Sequence, residues 1–347
     1  MGFKRFDPED FVVSAQAITA TCWSGGATQL TSFFTQSNQV SSITGKYYTT
    51  VFQTGSNVSD VAAEAQFQIA FANQNGGGAL AYNNAAAAGV STTSTIYGQY
   101  RSLVLEDENA DFMFGNYSGS SIYVISVERA RYKESLLPGS LNLTVGKGSR
   151  TISLTDNSKD VTVPTFYGTQ RAYQIVSGSN GAAYAGNGYS VSGSYGLFLP
   201  DTSTIILNAA ALDDNSGTTS LTGTNDGFGI NLGTVTTANT AGNNPQKLFN
   251  AVVSGSSFGL NSEETITSDF VFVRARNSEF NYSENPWYIS GSTGEVVYNY
   301  FINNPQSYLT TVGLYNDSNE LLAVAKLSKP LNKNFTKEAL IRVKLDF

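Results

Sequence analysis

Histidine is missing from the chain, and cysteine occurs once, as Cys22. The first absence removes His-based zinc sites, Ser-His-Asp triads and Cys–His pairs. The second removes any intramolecular disulfide. Charge is sparse as well: Asp, Glu, Lys and Arg make up 14% of 347 residues, so Gly, Ser, Thr and Asn fill the polar positions. Those residues make turns and neutral hydrogen-bonding surfaces. The net charge of −7 argues against nucleic acid as a partner, because phosphate contacts need a basic footprint. No apolar run reaches the ~20 residues of a membrane span, so no membrane insertion is expected. The opening "MGFKRFDPEDF" lacks the apolar core of a signal peptide, and Phe6 stands where myristoylation needs Ser or Thr. A cytosol-like compartment is the expectation.

What remains is apolar enough, at 41%, to bury a sizeable core, and long enough for more than one domain. The expected fold class is α+β, predominantly β. Two helices are expected. "SDVAAEAQFQIAFANQNGGG" opens on Ser59 as N-cap, packs Ala62, Ala63, Phe67 and Ala70, and stops at Asn75-Gly76. "NNPQKLFNAVVSGSS" has Asn244 as N-cap and Pro245 in its first turn. "SIYVISVERARYKE", "TSTIILNAAAL", "DFVFVRARNSEF" and "ALIRVKLDF" read as strands. In the last, Ile341, Val343, Leu345 and Phe347 point one way and Arg342, Lys344 and Asp346 the other, which suits an edge strand with one wet face. No Lys or Arg occurs between Arg171 and Lys247, whereas basic residues crowd the end of the chain. That composition suggests a Gly/Ser/Thr/Asn-rich β domain over 146–244, inserted between flanking α+β segments, 1–145 and 245–347, that pack together.

A short echo supports that packing. Arg129 and Arg131 precede Glu134, and Arg274 and Arg276 precede Glu279. Each Arg pair is expected on one strand face, where it could hold carboxylates bidentately in a lattice joining the flanks. Little else in the sequence points to chemistry. "VGKGSR" has misplaced glycines and no Ser or Thr for magnesium, so it is a turn and no phosphate loop. Asp213, Asp214, Asn215 and Asp226 lack EF-hand spacing. Glu106, Asp107, Glu108 and Asp111, then Glu263 and Glu264, are the densest acidic clusters, and neither has a spacing that specifies acid–base chemistry. No cofactor, metal or catalytic activity is expected.

The most tightly specified stretch is "TTVGLYNDSNELLAVAKLSKP", Thr310 to Pro330. It reads as a hairpin around "NDSNE", with Gly313 marking a bulge or close approach and Pro330 closing the second strand. Both strands carry apolar residues on both faces, so the hairpin is expected to be covered on both sides. Gly313, Leu314, Tyr315, Arg342 and Lys344 are the candidate assembly residues. This stretch, with "RARNSEFNYSENPWYI" before it and "LNKNFTKEALIRVKLDF" after it, resembles virion structural proteins of contractile-tailed, T-even-like marine phages. "IYGQYRSLVLEDENADFMFG" and "SIYVISVERARYKESLLPGSLNL" are similar to the N-terminal part of the same proteins, and the resemblance fades in the middle. It implies a tail or baseplate subunit found in virions, assembled in the host cytoplasm in multiple symmetric copies with other virion proteins as partners, and brings no catalytic residues. A neck, head or capsid-decoration subunit, or a glycan-binding adhesin at a fibre base using Tyr and Asn of the middle domain, are the alternatives.

Overall fold

The computed structural model describes residues 4–43, 46–53, 63–79, 91–114, 117–184, 195–214, 229–238, 240–283 and 285–346. The protein is α+β and predominantly β, with 43% strand against 18% helix among the described residues. In chain order the strands begin with β1 (Phe11–Thr21), β2 (Gln29–Leu30), β3 (Tyr48–Phe52), β4 (Ala65–Asn73), β5 (Met113–Phe114), β6 (Tyr117–Ser118) and β7 (Ser121–Val127). They continue with β8 (Ser135–Leu136), β9 (Asn142–Lys147), β10 (Arg150–Asp156), β11 (Thr165–Tyr167), β12 (Gln170–Ser179), β13 (Ala182–Ala183), β14 (Gly196–Leu199) and β15 (Thr204–Asn208). After them come β16 (Ser257–Gly259), β17 (Asn261–Ala275), β18 (Ser307–Tyr315), β19 (Leu321–Lys333) and β20 (Ala339–Asp346). The α-helices are α1 (Ser37–Ser41), α2 (Thr92–Leu105), α3 (Ala209–Asp213), α4 (Asn244–Gly255) and α5 (Asn299–Asn303). The chain divides into two compact units, a smaller one of Met1–Ala17 with Thr265–Phe347 and a larger one of Ile18–Glu264.

The larger unit is built on one sheet in the order β2-β16-β9-β10-β12-β14-β15-β7-β4-β3. Each pairing along it is antiparallel. Its central strands β7, β14 and β15 are buried on both faces, which is why they read as unbroken apolar runs. Alternation sends Phe67, Tyr123, Ile125, Ile205 and Leu207 into one core with Leu248, Phe249 and Val252 of α4. Ile122, Val124, Leu197 and Ile206 point into a second core, under Tyr97 and Val104 of α2. α4 touches β9 and β16 near one end of the strand order and β3 and β4 at the other, so the sheet curls around this helix. The curl closes through residues 29–34: Leu30 pairs with Phe258 of β16, and Phe34 exchanges two backbone hydrogen bonds, 2.9 and 2.8 Å, with Phe52 of β3. Trp23 sits inside this closure, donating from Nε1 to the Phe258 carbonyl at 2.7 Å, with the two rings edge to face.

Several sequence expectations change here. The helix expected from Ser59 is strand β4 where it is described, Ala65–Asn73, paired to β3 and β7; Ser59, Asp60 and Ala62 lie outside the described residues. Ala and Gln favour helix locally, but partners on both sides impose a period of two that suits Phe67, Ile69 and Phe71 equally well. The helix that sequence reading missed is α2, rich in Thr, Ile, Tyr and Val and capped by reciprocal hydrogen bonds of Ser91 and Ser94. α4 begins as expected, except that Asn243 is the N-cap and Asn244 the first residue inside. Of "TSTIILNAAAL", Thr204–Asn208 is strand, and the three alanines open α3. Residues 146–244 form no inserted domain, because β10, β12, β14 and β15 lie in the middle of the same sheet as β4 and β7. "VGKGSR" is the two-residue turn between β9 and β10, with Lys147 facing Arg150 and Gly148 at φ +63°.

The smaller unit holds the β18–β19 hairpin and the β17–β20 pair, which runs from Ser268 opposite Asp346 to Ala275 opposite Ala339. β1 lies on the other side of β17. Its core is thin. Val271, Leu314 and Val343 are buried together, with Phe6, Val273, Val312, Ile341 and Leu345 half-covered around them.

Candidate interaction surface

In the smaller unit the hairpin forms as its sequence specifies. Asn316 organises the turn: its side chain accepts from the Glu320 backbone at 2.8 Å and donates to the Glu320 carboxylate at 2.7 Å. Asn319 takes the left-handed backbone, φ 61°, that Asn tolerates. The bulge falls between Leu314 and Tyr315, beside Gly313, where a Cβ would stand 2.9 Å from the Tyr315 ring. Pro330 does not end the second strand. Thr311 pairs with Lys326 and Leu309 with Leu331, so Pro330 sits in a wide irregularity where the ladder needs no proline N–H, and β19 runs on to Lys333.

The expected cover on both faces is found on one. Val312, Leu314, Ala323 and Ala325 turn toward Val271 and Val343. Tyr308, Tyr315, Leu321 and Val324 are exposed, and so is Leu322, at 67% of its surface. Of the candidate assembly residues, Leu314 is therefore core, whereas Gly313 and Tyr315 are exposed. Arg342 and Lys344 lie on the exposed side of β20, at the end of the strand order opposite β1. Arg342 stacks on the Phe270 ring, 5.4 Å to its centroid, and Lys344 pairs with Asp346 at 2.9 Å. The Ser268 hydroxyl donates to the Asp346 carboxylate and, with Lys344, holds its pKa below the usual range.

The first Arg pair does not lie on a strand face, because Arg129–Arg131 is a turn of 3₁₀ helix following β7; of the second, Arg274 lies on β17 and Arg276 follows its end. Its partners are local to the larger unit: Arg129 lies over the Tyr132 ring and donates to the Tyr132 carbonyl, and Arg131 binds Glu64 at 2.7 Å. Glu134 follows, just before β8. In the smaller unit Arg274 stands 3.8 Å from Glu338. Glu279 accepts from the Arg276 backbone at 2.9 Å and from Lys4 at 3.1 Å, and these contacts lower its pKa.

Two features of the smaller unit were not read from the sequence. Lys333 is fully buried, and its ammonium donates to the carbonyls of Asn277 and Asn334, each at 3.0 Å, and to Asn281 Oδ1 at 2.7 Å. Burial lowers its pKa from the usual lysine range. The second is an aromatic segment. Phe301 of α5 is buried under Tyr282 and Tyr288, Tyr298 stacks on Tyr300, and Trp287 is 75% exposed.

Polar clusters in the larger unit are internally matched. Arg171 binds Asp201 through Nε and Nη2, at 3.0 and 2.7 Å, and reaches Glu263 at 3.1 Å; Ser135 donates to the same Glu263 oxygen. Burial alone would lower the Arg171 pKa, and the hydrogen bonds it donates to the two carboxylates, with their charge, reverse that and raise it. Residues 229–238 carry no strand ladder. They are held by Lys147 on the carbonyls of Asn231 and Leu232, Lys247 on that of Gly233, Asp213 on the Thr234 N–H and Asn244 on both backbone groups of Val235. Asp213 thus serves as a tether; Asn215 and Asp226 lie outside the described residues. Glu106 ends α2 in left-handed backbone. No group of three or more potential metal-ligating side chains converges among the described residues, and no described helix is long and apolar enough to cross a membrane.

No family model, curated protein or solved structure matches the chain.

Proposed function

We propose that the protein is a structural subunit of a phage virion, in the contractile tail or baseplate, that acts by protein–protein assembly and carries out no catalysis. The observation that supports assembly is the imbalance within the smaller unit. Its one buried apolar cluster holds three side chains, Val271, Leu314 and Val343, while most of the exposed large apolar side chains among the described residues lie on its surface. A small unit with so little internal apolar burial gains stability when a neighbour covers that surface. Aromatic and aliphatic anchors ringed by polar side chains suit such an interface. The place in a virion rests on the resemblance of the "RARNSEFNYSENPWYI" and hairpin segments to phage structural proteins. A neck, head or decoration position is the variant of this reading that the same surface serves. The test is mass spectrometry of gradient-purified virions and of isolated tails. The chain should be present at a fixed multiple of the tail symmetry, and its absence from particles would end the proposal.

A second reading, glycan binding, is favoured by one observation. Trp287, Tyr298 and Tyr300 are exposed in a segment without Lys or Arg between Arg276 and Lys326. An exposed aromatic surface suits sugar stacking, and this one lies outside the 146–244 stretch expected from the sequence. A glycan array separates the readings: binding that Trp287→Ala abolishes would favour the adhesin.

A further inference from the structure

We infer that residues Phe11–Ala17 of β1 pair with the same residues of a second copy of this chain, antiparallel about a two-fold axis, continuing the sheet of the smaller unit across two molecules. β1 is an edge: β17 lies on one side, and no described strand pairs on the other. Apart from the Phe6 ring, which stands edge-on to Phe11, both of its faces are open. Every residue from Phe11 to Ala20 is exposed, Val13 by 69%. An edge strand is a row of unpaired N–H and C=O groups, and folded proteins guard it with charge, proline, bulges or shortness. "FVVSAQAITAT" carries no charged residue and no proline over its 11 residues. The opposite edge, β20, is guarded by Arg342 and Lys344.

The absence of charge also selects the occupant. A two-fold contact is isologous, setting each residue opposite one equidistant from the axis. On β1 this brings no like charges together in any register, whereas β20 would set Arg342 and Lys344 against their own copies. The acidic residues Asp7, Glu9 and Asp10 immediately precede β1. Parallel pairing would place them beside their counterparts, and antiparallel pairing sends the two sets to opposite ends, so repulsion favours the antiparallel arrangement. Self-pairing buries Phe11, Val12 and Val13 partly, and main-chain hydrogen bonds supply the rest, as in strand addition generally. The inference rests on the assembly reading above and names one of its partners.

The test uses the purified full chain. Native mass spectrometry over a dilution series should show a dimer dissociating to monomer. Amides of Phe11–Ala17 should exchange hydrogen more slowly at concentrations where the dimer prevails. Val13→Lys with Ala15→Lys should give a monomer with an unchanged melting temperature, because both side chains are exposed, while Arg342→Glu with Lys344→Glu should stay dimeric. Monomer at every concentration, or a dimer that survives the β1 substitutions, would overturn the pairing. The exchange measurement on the unaltered protein decides the matter should the double variant fail to fold: amide protection independent of concentration also overturns it. A solution dimer with these properties from a chain missing from virions would sink the virion assignment and leave the pairing standing.

Discussion

Single buried groups set the pH and chemical behaviour of each unit. Cys22 is buried beside Trp23, and burial pushes its thiol up to about 12. The thiolate is the nucleophile, so the folded protein should resist a disulfide-exchange reagent at pH 8 and react once in denaturant. Rapid stoichiometric labelling without denaturant would contradict the burial. Tyr123 is buried with its hydroxyl 2.9 Å from Thr234 Oγ1, and Tyr97 donates to the Gly119 carbonyl; desolvation raises both phenols. A raised pKa means that the folded chain keeps protons that the unfolded chain releases. Stability from these groups is full below the ordinary values of 9.0 for the thiol and 10.0 for the phenols, and is lost as the pH rises above them. Urea midpoints of the larger unit should therefore fall steadily above pH 9. In the smaller unit, Lys333→Met removes the donor to three oxygens, two of them backbone carbonyls. It should destabilise that unit by about 1–3 kcal/mol, since stranded acceptors cost more than the ammonium's desolvation returns. Hydrogen exchange across 277–281 would show the loosening.

At the scale of elements, what was legible in the sequence was what is local. β7, β17, β20, α4 and the β18–β19 turn each carry their signal within a few residues: alternation, Pro245 in a first turn, or Asn316 and Asn319 in a tight connection. β4 was misread and α2 was missed for one reason. Ala-rich "AEAQFQIAFAN" and β-branched "TTSTIYGQYRSLVL" each contradict their final state locally, and only distant partners, β7 for one and the second core for the other, decide between the alternatives. The hairpin's second face was equally unreadable, because an apolar strand face looks the same whether its cover comes from the chain or from outside it. The candidate site was legible as a hairpin and a guarded edge. Lys333 and the Trp287 segment gave no pattern to find. Leu314→Asp, which puts a carboxylate into the thin core, should unfold the smaller unit while the buried Trp23 of the larger one keeps its native fluorescence. Arg171→Met unties β12 from Asp201 and Glu263. Because these side chains are partly solvated, the cost should be about 1–2 kcal/mol in urea unfolding; an unchanged midpoint would show the network to be ornamental.

At the scale of the molecule, the division follows long-range pairing and not composition. The Gly-rich, charge-poor middle suggested an insert, yet its strands are the centre of the larger unit's sheet. Removing 146–244 should therefore abolish folding of that unit. A chain of residues 18–264 should melt cooperatively alone, and a non-cooperative melt of that fragment would show that the larger unit needs the other.

The closure of the curled sheet through residues 29–34 also has a meaning in time. Phe34 can meet Phe52 almost as soon as both are synthesised. Leu30 must wait for Phe258, and the interior must wait for Leu248 and Phe249 of α4, which emerge just before it. At ~5–20 residues/s the nascent chain spends on the order of ten to forty seconds with its ring open and its filling not yet made. The larger unit therefore cannot complete its fold strand by strand as it leaves the ribosome. Its ring closes only near the end of its own synthesis, and until then the apolar face that α4 will cover stays open.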